Sequence, residues 1–409
     1  MRLYRTRVSQ FGSIRKKYWI FNVLTRIVLT PCSYRRNKRI WVFGCWKGEK
    51  YDDNAKYFFE YVLRNHKETV NAFWITRSES VFKELQKKEV PVLFDKSKEA
   101  RRIMLKAGIA FCTNGYDDFS NICYLCGATV ICLAHASGGI KKCGFDKDRY
   151  QSRLISVMKK VKNYLFDWDY FDYHLCTSKI SQDYMMQCWG EKDRSKMIIT
   201  GLPRNEVFYD CEKKNMMRYK YIIYMPTYRI YNNTVVNDLI QNIKEDKLFL
   251  DSMKINGMKL IIKIHNMDAR FLELNQIKSD VIQVVDENDS IDTQRLLSCS
   301  NALVTDYSSC CLDYALTDKP IFLYAPDFEE YNKVNGILDF WMAFYESETV
   351  IKSIEDLKNR VLKLINGDKY DTFLNEWIRS KYLDSSISSG DFSDRLFHFV
   401  SKNIGRWEK

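Results

Sequence analysis

Short apolar runs that alternate with stretches of helical apolar spacing constrain this chain more than any other feature. The runs fall at 40–44, 72–76, 90–94, 109–113, 129–133, 174–177 and 197–200, and then at 221–225, 260–264, 281–285, 302–305 and 321–324. Runs this short read as strands, and helical spacing between them reads as crossover connections, so repeated βαβ units are predicted. Helices are expected at 54–66, 99–107, 149–165, 182–189, 293–298 and 310–315. In the first of these, Asp52 or Asp53 serves as the cap, and Tyr57, Phe58, Tyr61 and Val62 share one face. A polar, basic stretch at 211–220 interrupts the alternation and reads as a linker. Beyond Ser353, Leu357, Val361 and Leu364 at helical spacing predict a helical tail.

Two successive α/β halves give the expected fold: a GT-B-like pair of Rossmann-like domains facing a cleft, with a basic amphipathic N-terminal arm and a helical C-terminal tail. The expected bounds are 1–39 for the arm, 40–210 and 211–385 for the two domains, and 386–409 for a terminal helix. A chain of 409 residues is long enough for two such cores.

The charge is distributed in a way that argues against a nucleic-acid partner. Of the net +12, eleven units come from Lys and Arg in residues 1–40, which hold no acid, so the remainder is almost balanced. A nucleic-acid enzyme spreads such charge along a groove. Here it flanks Trp19, Ile20, Phe21, Val23, Leu24, Ile27, Val28 and Leu29, a segment interrupted by Arg26 and too short to span a bilayer. Basic flanks around an aromatic and aliphatic face suit a helix lying on an anionic membrane surface. No small-residue cleavage site follows, so the expected location is the cytoplasmic membrane face, with peripheral attachment. Thirteen cysteines without a leader then read as free, mostly buried thiols. The spacing Cys123-x-x-Cys126 has no second pair, and Asp167-Trp168-Asp169 lacks the surroundings of a metal-binding D-x-D. No metal and no cofactor are expected.

Three strand ends in the second half carry polar side chains. Thr305-Asp306-Tyr307-Ser308-Ser309 joins a strand to a helix start, where open N–H groups and hydroxyls suit phosphate. Thr227 and Arg229 follow another strand, and an Arg fork grips phosphate in bidentate fashion. Lys263 and His265 end a third. Such ends converge on one edge of an open α/β sheet. In the first half, His135-Ala136-Ser137-Gly138-Gly139-Ile140-Lys141 follows a strand and suits an anion cradle or a general base. Arg204, after Gly201-Leu202-Pro203, is equally consistent with a cleft residue or a tight interdomain turn.

Taken in order, Phe43-Gly44-x-Trp46-x-Gly48, Tyr51-x-Asp53-Asn54-x-x-Tyr57, Gly201-x-Pro203-Arg204-Asn205, Pro226-Thr227-x-Arg229, Lys263-x-His265, the Thr305–Ser309 segment and Asp327-x-x-x-Tyr331 resemble the CDP-glycerol:poly(glycerophosphate) glycerophosphotransferase family of teichoic-acid and capsule synthesis. The resemblance spans about residues 41–340. It implies a CDP-glycerol or CDP-ribitol donor held in the second domain, with Thr227, Arg229, Lys263, His265, Thr305, Asp306, Ser308 and Ser309 as donor-binding residues. It implies His135 and His265 as catalytic groups, and Asn54, Ser137, Lys141 and Arg204 as acceptor or cleft residues. A lipid-linked or polymeric glycan would be the acceptor. Two departures stand out. The family's Trp-His-Gly-Thr-Pro-Leu-Lys, aligned on Lys141, puts its His at Ala136, one place after His135, and Asn335-Gly336 replaces the usual Arg-Gly. These departures leave room for a nucleotide-sugar glycosyltransferase of the same architecture, or for an inactive membrane-bound scaffold.

Overall fold

The computed structural model describes residues 35–113, 115–143, 171–210, 217, 219–229, 234–264, 279–285, 291–387 and 389–405. The arm upstream of Arg35, the helix expected at 149–165, Asp167 to Asp169 and His265 lie outside the described residues.

Each expected apolar run is a strand. The first seven are β1 Asn37–Phe43, β2 Asn71–Thr76, β3 Val92–Phe94, β4 Ala107–Cys112, β5 Thr129–Cys132, β6 Tyr173–Cys176 and β7 Met197–Ile199, ordered β3-β2-β1-β4-β5-β6-β7. The last five are β8 Lys220–Met225, β9 Met258–Lys263, β10 Ile282–Val285, β11 Ala302–Thr305 and β12 Ile321–Leu323, ordered β10-β9-β8-β11-β12. Every pairing within the two sheets is parallel. Each sheet reverses its winding at one point, between β1 and β4 and between β8 and β11, which is where open α/β sheets place ligands.

The alternation of side chains explains why the runs are continuous rather than half polar. In β1, Trp41 and Phe43 enter an aromatic cluster with Phe58 and Phe111, while Val42 faces Ala110 and Cys112 on the other side. All three β1 residues are fully buried. Helix Asp53–Asn65 covers the aromatic face through Phe58, Phe59 and Val62.

The tail divides between the halves. Helix Phe373–Tyr382 packs Ile378 and Tyr382 into the second half beside Trp341. Helix Phe392–Val400 returns to the first, where the Phe397 ring lies 5.6 Å from Trp41. Residues 36–39, expected in the arm, also belong to the first half. Arg36 donates to the carbonyls of Ala107 at 3.1 Å and Tyr124 at 2.9 Å, and Lys38 reaches the carbonyl of Ile404 at 2.6 Å. Their charge is therefore spent on backbone carbonyls. Among the described residues no helix is long and apolar enough to cross a membrane.

Candidate active site between the two sheets

At the end of β5 the chain turns through Ala134, which adopts φ 56°, a conformation costly for any residue with a Cβ. Buried Asn54 holds that turn. Its Nδ2 donates to the carbonyls of Leu133 at 3.1 Å and Ala134 at 2.8 Å, and its Oδ1 accepts the Arg204 N–H at 3.1 Å. The turn presents His135. His135 keeps an exposed surface, yet enough protein surrounds it that desolvation lowers its pKa. Asp53 pulls the other way, while Arg204 and Lys141 add to the lowering. A histidine in this setting is neutral near pH 7 and has a lone pair to accept a proton.

Backbone strain gathers here. Among the described residues five non-glycines have positive φ, and four of them are close in sequence or space to His135 or its neighbour Trp46: Trp46, Lys47, Asp53 and Ala134. The Trp46 ring lies 6.3 Å from the His135 ring, edge on. The Lys47 N–H in that turn donates to Asp118 at 2.7 Å. Strain of this kind persists where surrounding structure over-determines it, and it concentrates at functional sites.

The loop after His135 needs its glycines. A Cβ on Gly139 would come 2.0 Å from the Tyr184 ring, and one on Gly138 would come 2.5 Å from Tyr382. The same loop is stitched to the second half. Tyr382 Oη donates to the Gly139 carbonyl at 2.8 Å, the Leu338 N–H to the Ile140 carbonyl at 2.9 Å, and the Lys142 N–H to the Gly336 carbonyl at 2.9 Å. Lys141 pairs with Ile337 in an antiparallel bridge.

Three of the residues expected at the acceptor or cleft, Asn54, Ser137 and Arg204, are buried within the protein. Arg204 is bound by Asp53 at 2.8 Å and by Asp313 of the second half at 2.7 Å. Ser137 Oγ donates to the same Asp313 carboxylate, and Asn54 supports the Ala134 turn. Their polar groups are largely taken up by one another, so Asn54, Ser137 and Arg204 help hold the two halves together. Arg204 lies in the short helix Pro203–Phe208 and bridges the two halves. Asp313 was missed in the sequence. It lies in helix Cys310–Tyr314, inside an apolar run, and a buried acid in such a run was the available signal.

The second half brings together most of the expected donor residues. Thr227 follows β8, its N–H donating to the Asp306 carboxylate at 2.9 Å, and Thr305 Oγ1 donates to the Met225 carbonyl at 2.7 Å. Arg229 departs from expectation. Its fork reaches Asp327 at 2.6 and 3.0 Å, Asp306 at 2.7 Å and the Thr227 carbonyl at 2.9 Å, with the side chain 1% exposed. Arg229 thus ties together the turns after β8, β11 and β12 and has no fork left for a phosphate. Asp306 and Thr305 are equally buried and serve that frame. Ser308 and Ser309 stay partly exposed, and the Ser309 side chain makes no cap hydrogen bond to its helix. The Thr227 hydroxyl is buried and has no hydrogen-bond partner among the described residues. Lys263 ends β9, beside β8. Four residues after Ser309 the chain reaches Asp313, so the serine turn and the His135 loop are joined through the Asp313–Ser137 contact.

Among the described residues no group of three or more metal-ligating side chains occurs.

The model of the CDP-glycerol:poly(glycerophosphate) glycerophosphotransferase family matches residues 27–402. Among characterised proteins, a teichoic acid glycerol-phosphate primase of Bacillus subtilis (strain 168) is 26% identical over 287 residues, covering 66% of this chain and 67% of that protein. A teichoic acid poly(glycerol phosphate) polymerase of Bacillus spizizenii is 24% identical over 399 residues, covering 92% and 96%. Among solved structures, a variant of the wall teichoic acid polymerase TagF soaked with CDPG shares the fold with a TM-score of 0.70 at 18% identity, covering 98% of each chain.

Proposed function

Because the chain belongs to the CDP-glycerol:poly(glycerophosphate) glycerophosphotransferase family, we propose that it transfers glycerol phosphate from CDP-glycerol to a hydroxyl of a glycerol-phosphate or glycan acceptor and releases CMP. The observation that supports this reading is that the His135 loop and the helix following the Ser308–Ser309 turn are joined through the Ser137–Asp313 contact.

In this reading the donor diphosphate lies at the winding reversal of the second sheet. The hydroxyls of Ser308, Ser309 and Thr227 bind it, with Lys263 and His265 from the end of β9 supplying charge and a second catalytic group. Arg229, Asp306 and Thr305 hold the frame on which those groups stand. The acceptor hydroxyl lies against His135, with Lys141 nearby. Its oxygen attacks the β-phosphorus of the donor in line. A new O–P bond forms, the bond from that phosphorus to the bridging oxygen breaks, and CMP leaves with the bridging oxygen. His135 takes the hydroxyl proton. Positioning and neutralisation of phosphate charge supply most of the rate in such transfers, and a placed base adds about a hundredfold or more. Purified protein given an acceptor and, in parallel, CDP-glycerol, CDP-ribitol and nucleotide sugars should release CMP with CDP-glycerol. A nucleoside diphosphate released from a nucleotide sugar would instead assign sugar transfer, and no released nucleotide would leave a scaffold.

The same reading places the enzyme on an anionic membrane surface, where a lipid-linked acceptor would be found. The support is the basic, aromatic and aliphatic segment upstream of residue 35. Removing residues 1–34 should move the protein from the membrane pellet to the soluble fraction, and high salt should do so in part. Unchanged pelleting would remove this attachment.

A further inference from the structure

The Asp313 carboxylate accepts four side-chain donors. Oδ1 takes Ser137 Oγ and, at 3.1 Å, Asn205 Nδ2; Oδ2 takes Arg204 at 2.7 Å and Gln294 Nε2 at 3.1 Å. Three of the four come from the first half, across the cleft from the helix that carries Asp313. All five side chains are buried or nearly so, and Asp313 itself is 1% exposed. A carboxylate so buried is retained only when its lone pairs are met by donors and a cation, which is the case here.

The partners of Asp313 are the residues that shape His135. Ser137 is two positions after it in the same loop. Arg204 is shared with Asp53, and its N–H is held by Asn54, whose amide fixes the strained Ala134 turn immediately before His135. Thr177 Oγ1 donates to the Ser137 carbonyl at 2.8 Å, fixing the loop from the first-half side as well. His135 is thus approached from both directions along the chain by groups that converge on one carboxylate of the opposite half.

We infer that Asp313 is a positioning residue for His135, coupling the place of the base to the seating of the donor half through Ser137 and through Arg204 and Asp53. This rests on the reading of His135 as the base. When the halves are apart, the Ser137 and Arg204 contacts are lost and the His135 loop is released from its position. When they meet, the helix that begins after Ser309 brings its own carboxylate to the loop, so donor site and base are brought into register by one element.

The test is Asp313→Asn, which keeps the shape, removes the charge, and offers an amide where Arg204 or Asn205 requires an acceptor. We expect kcat to fall about 10- to 100-fold, as small displacements of a reacting group do, while the calorimetric Kd for CDP-glycerol stays within about twofold, because the side chains bonded to Asp313 are Ser137, Arg204, Asn205 and Gln294 and none belongs to the serine turn. The pH profile supplies a readout that loss of packing alone would not move. The charged and titratable groups around His135 are Asp53, Arg204, Cys132 and Lys141. Without Asp313, Arg204 is less neutralised, so the acid limb of the rate should move to lower pH. Ser137→Ala removes the Oγ that donates to Asp313 and accepts from Asn205 Nδ2 at 3.2 Å, and it should lower kcat severalfold in the same sense; it carries the test should Asp313→Asn fail to fold. A wild-type kcat and an unmoved acid limb in the folded variant would overturn the inference. His135→Ala separates the two readings: normal turnover there refutes the base itself, whereas a dead His135→Ala beside a wild-type Asp313→Asn refutes the coupling alone.

Discussion

Two buried arginines, each bound by two aspartates, do different work in the two halves of this molecule. Arg229 joins Asp306 and Asp327, and all three stand at the ends of neighbouring strands in one sheet. Arg204 joins Asp53 of its own half to Asp313 of the other. In both, burial opposes the charge and the paired carboxylates outweigh it, so each guanidinium is held above its ordinary pKa. The chemistry is the same and the reach is not. A buried ion pair within one sheet fixes the shape of a turn, whereas one across a cleft fixes the relation between two domains.

That contrast can be broken by experiment. The largest effect should come from Arg229→Ala, which leaves Asp306 and Asp327 buried without their cation and should cost about 3–5 kcal/mol, read by chemical denaturation as destabilisation of the second half. Arg204→Ala removes an equivalent cation, yet its cost should appear differently. With the contact between halves weakened, calorimetry should resolve two transitions where the wild type is expected to melt more cooperatively. Equal, single-transition losses in both variants would erase the distinction drawn here.

A smaller effect is expected at the rim. Lys56 and the Tyr57 hydroxyl, the latter at 2.8 Å, both engage Asp292 of the second half, and Lys56 is partly exposed. Lys56→Ala should cost about 1 kcal/mol or less and should lose its effect in high salt, as partly solvated pairs do. A cost as large as that of Arg204→Ala would move the centre of the interdomain contact to the rim.

The contrast also marks what could be read from the sequence. The central strands were legible because they are buried on both faces, as with Trp41, Val42 and Phe43. The turns carrying Thr227, Ser308 and Ser309 were legible because hydroxyls directly after an apolar strand have few uses in a core. The pairing of Arg229 was not legible, since a strand-end arginine looks the same whether its fork meets a ligand or two aspartates 77 and 98 residues away. Arg204 was legible as a choice between two roles, and only its partner, 109 residues distant, decides between them. Asp313 was hidden in Cys310-Cys311-Leu312-Asp313-Tyr314, where the apolar neighbours read as core and the acid passes unnoticed. Long-range pairing of buried charge is set by topology, and local pattern does not report it.

The transfer and the coupling proposed for this enzyme both converge on His135, whose loop is held by both halves. Turnover of CDP-glycerol by His135→Ala, followed as CMP released in the presence of acceptor, tests it most directly, with calorimetric binding of CDP-glycerol as the control for folding. We expect CMP release to fall about a hundredfold or more while donor binding is retained, because the donor belongs to the other half. Near-normal release of CMP by the folded variant would contradict the assignment.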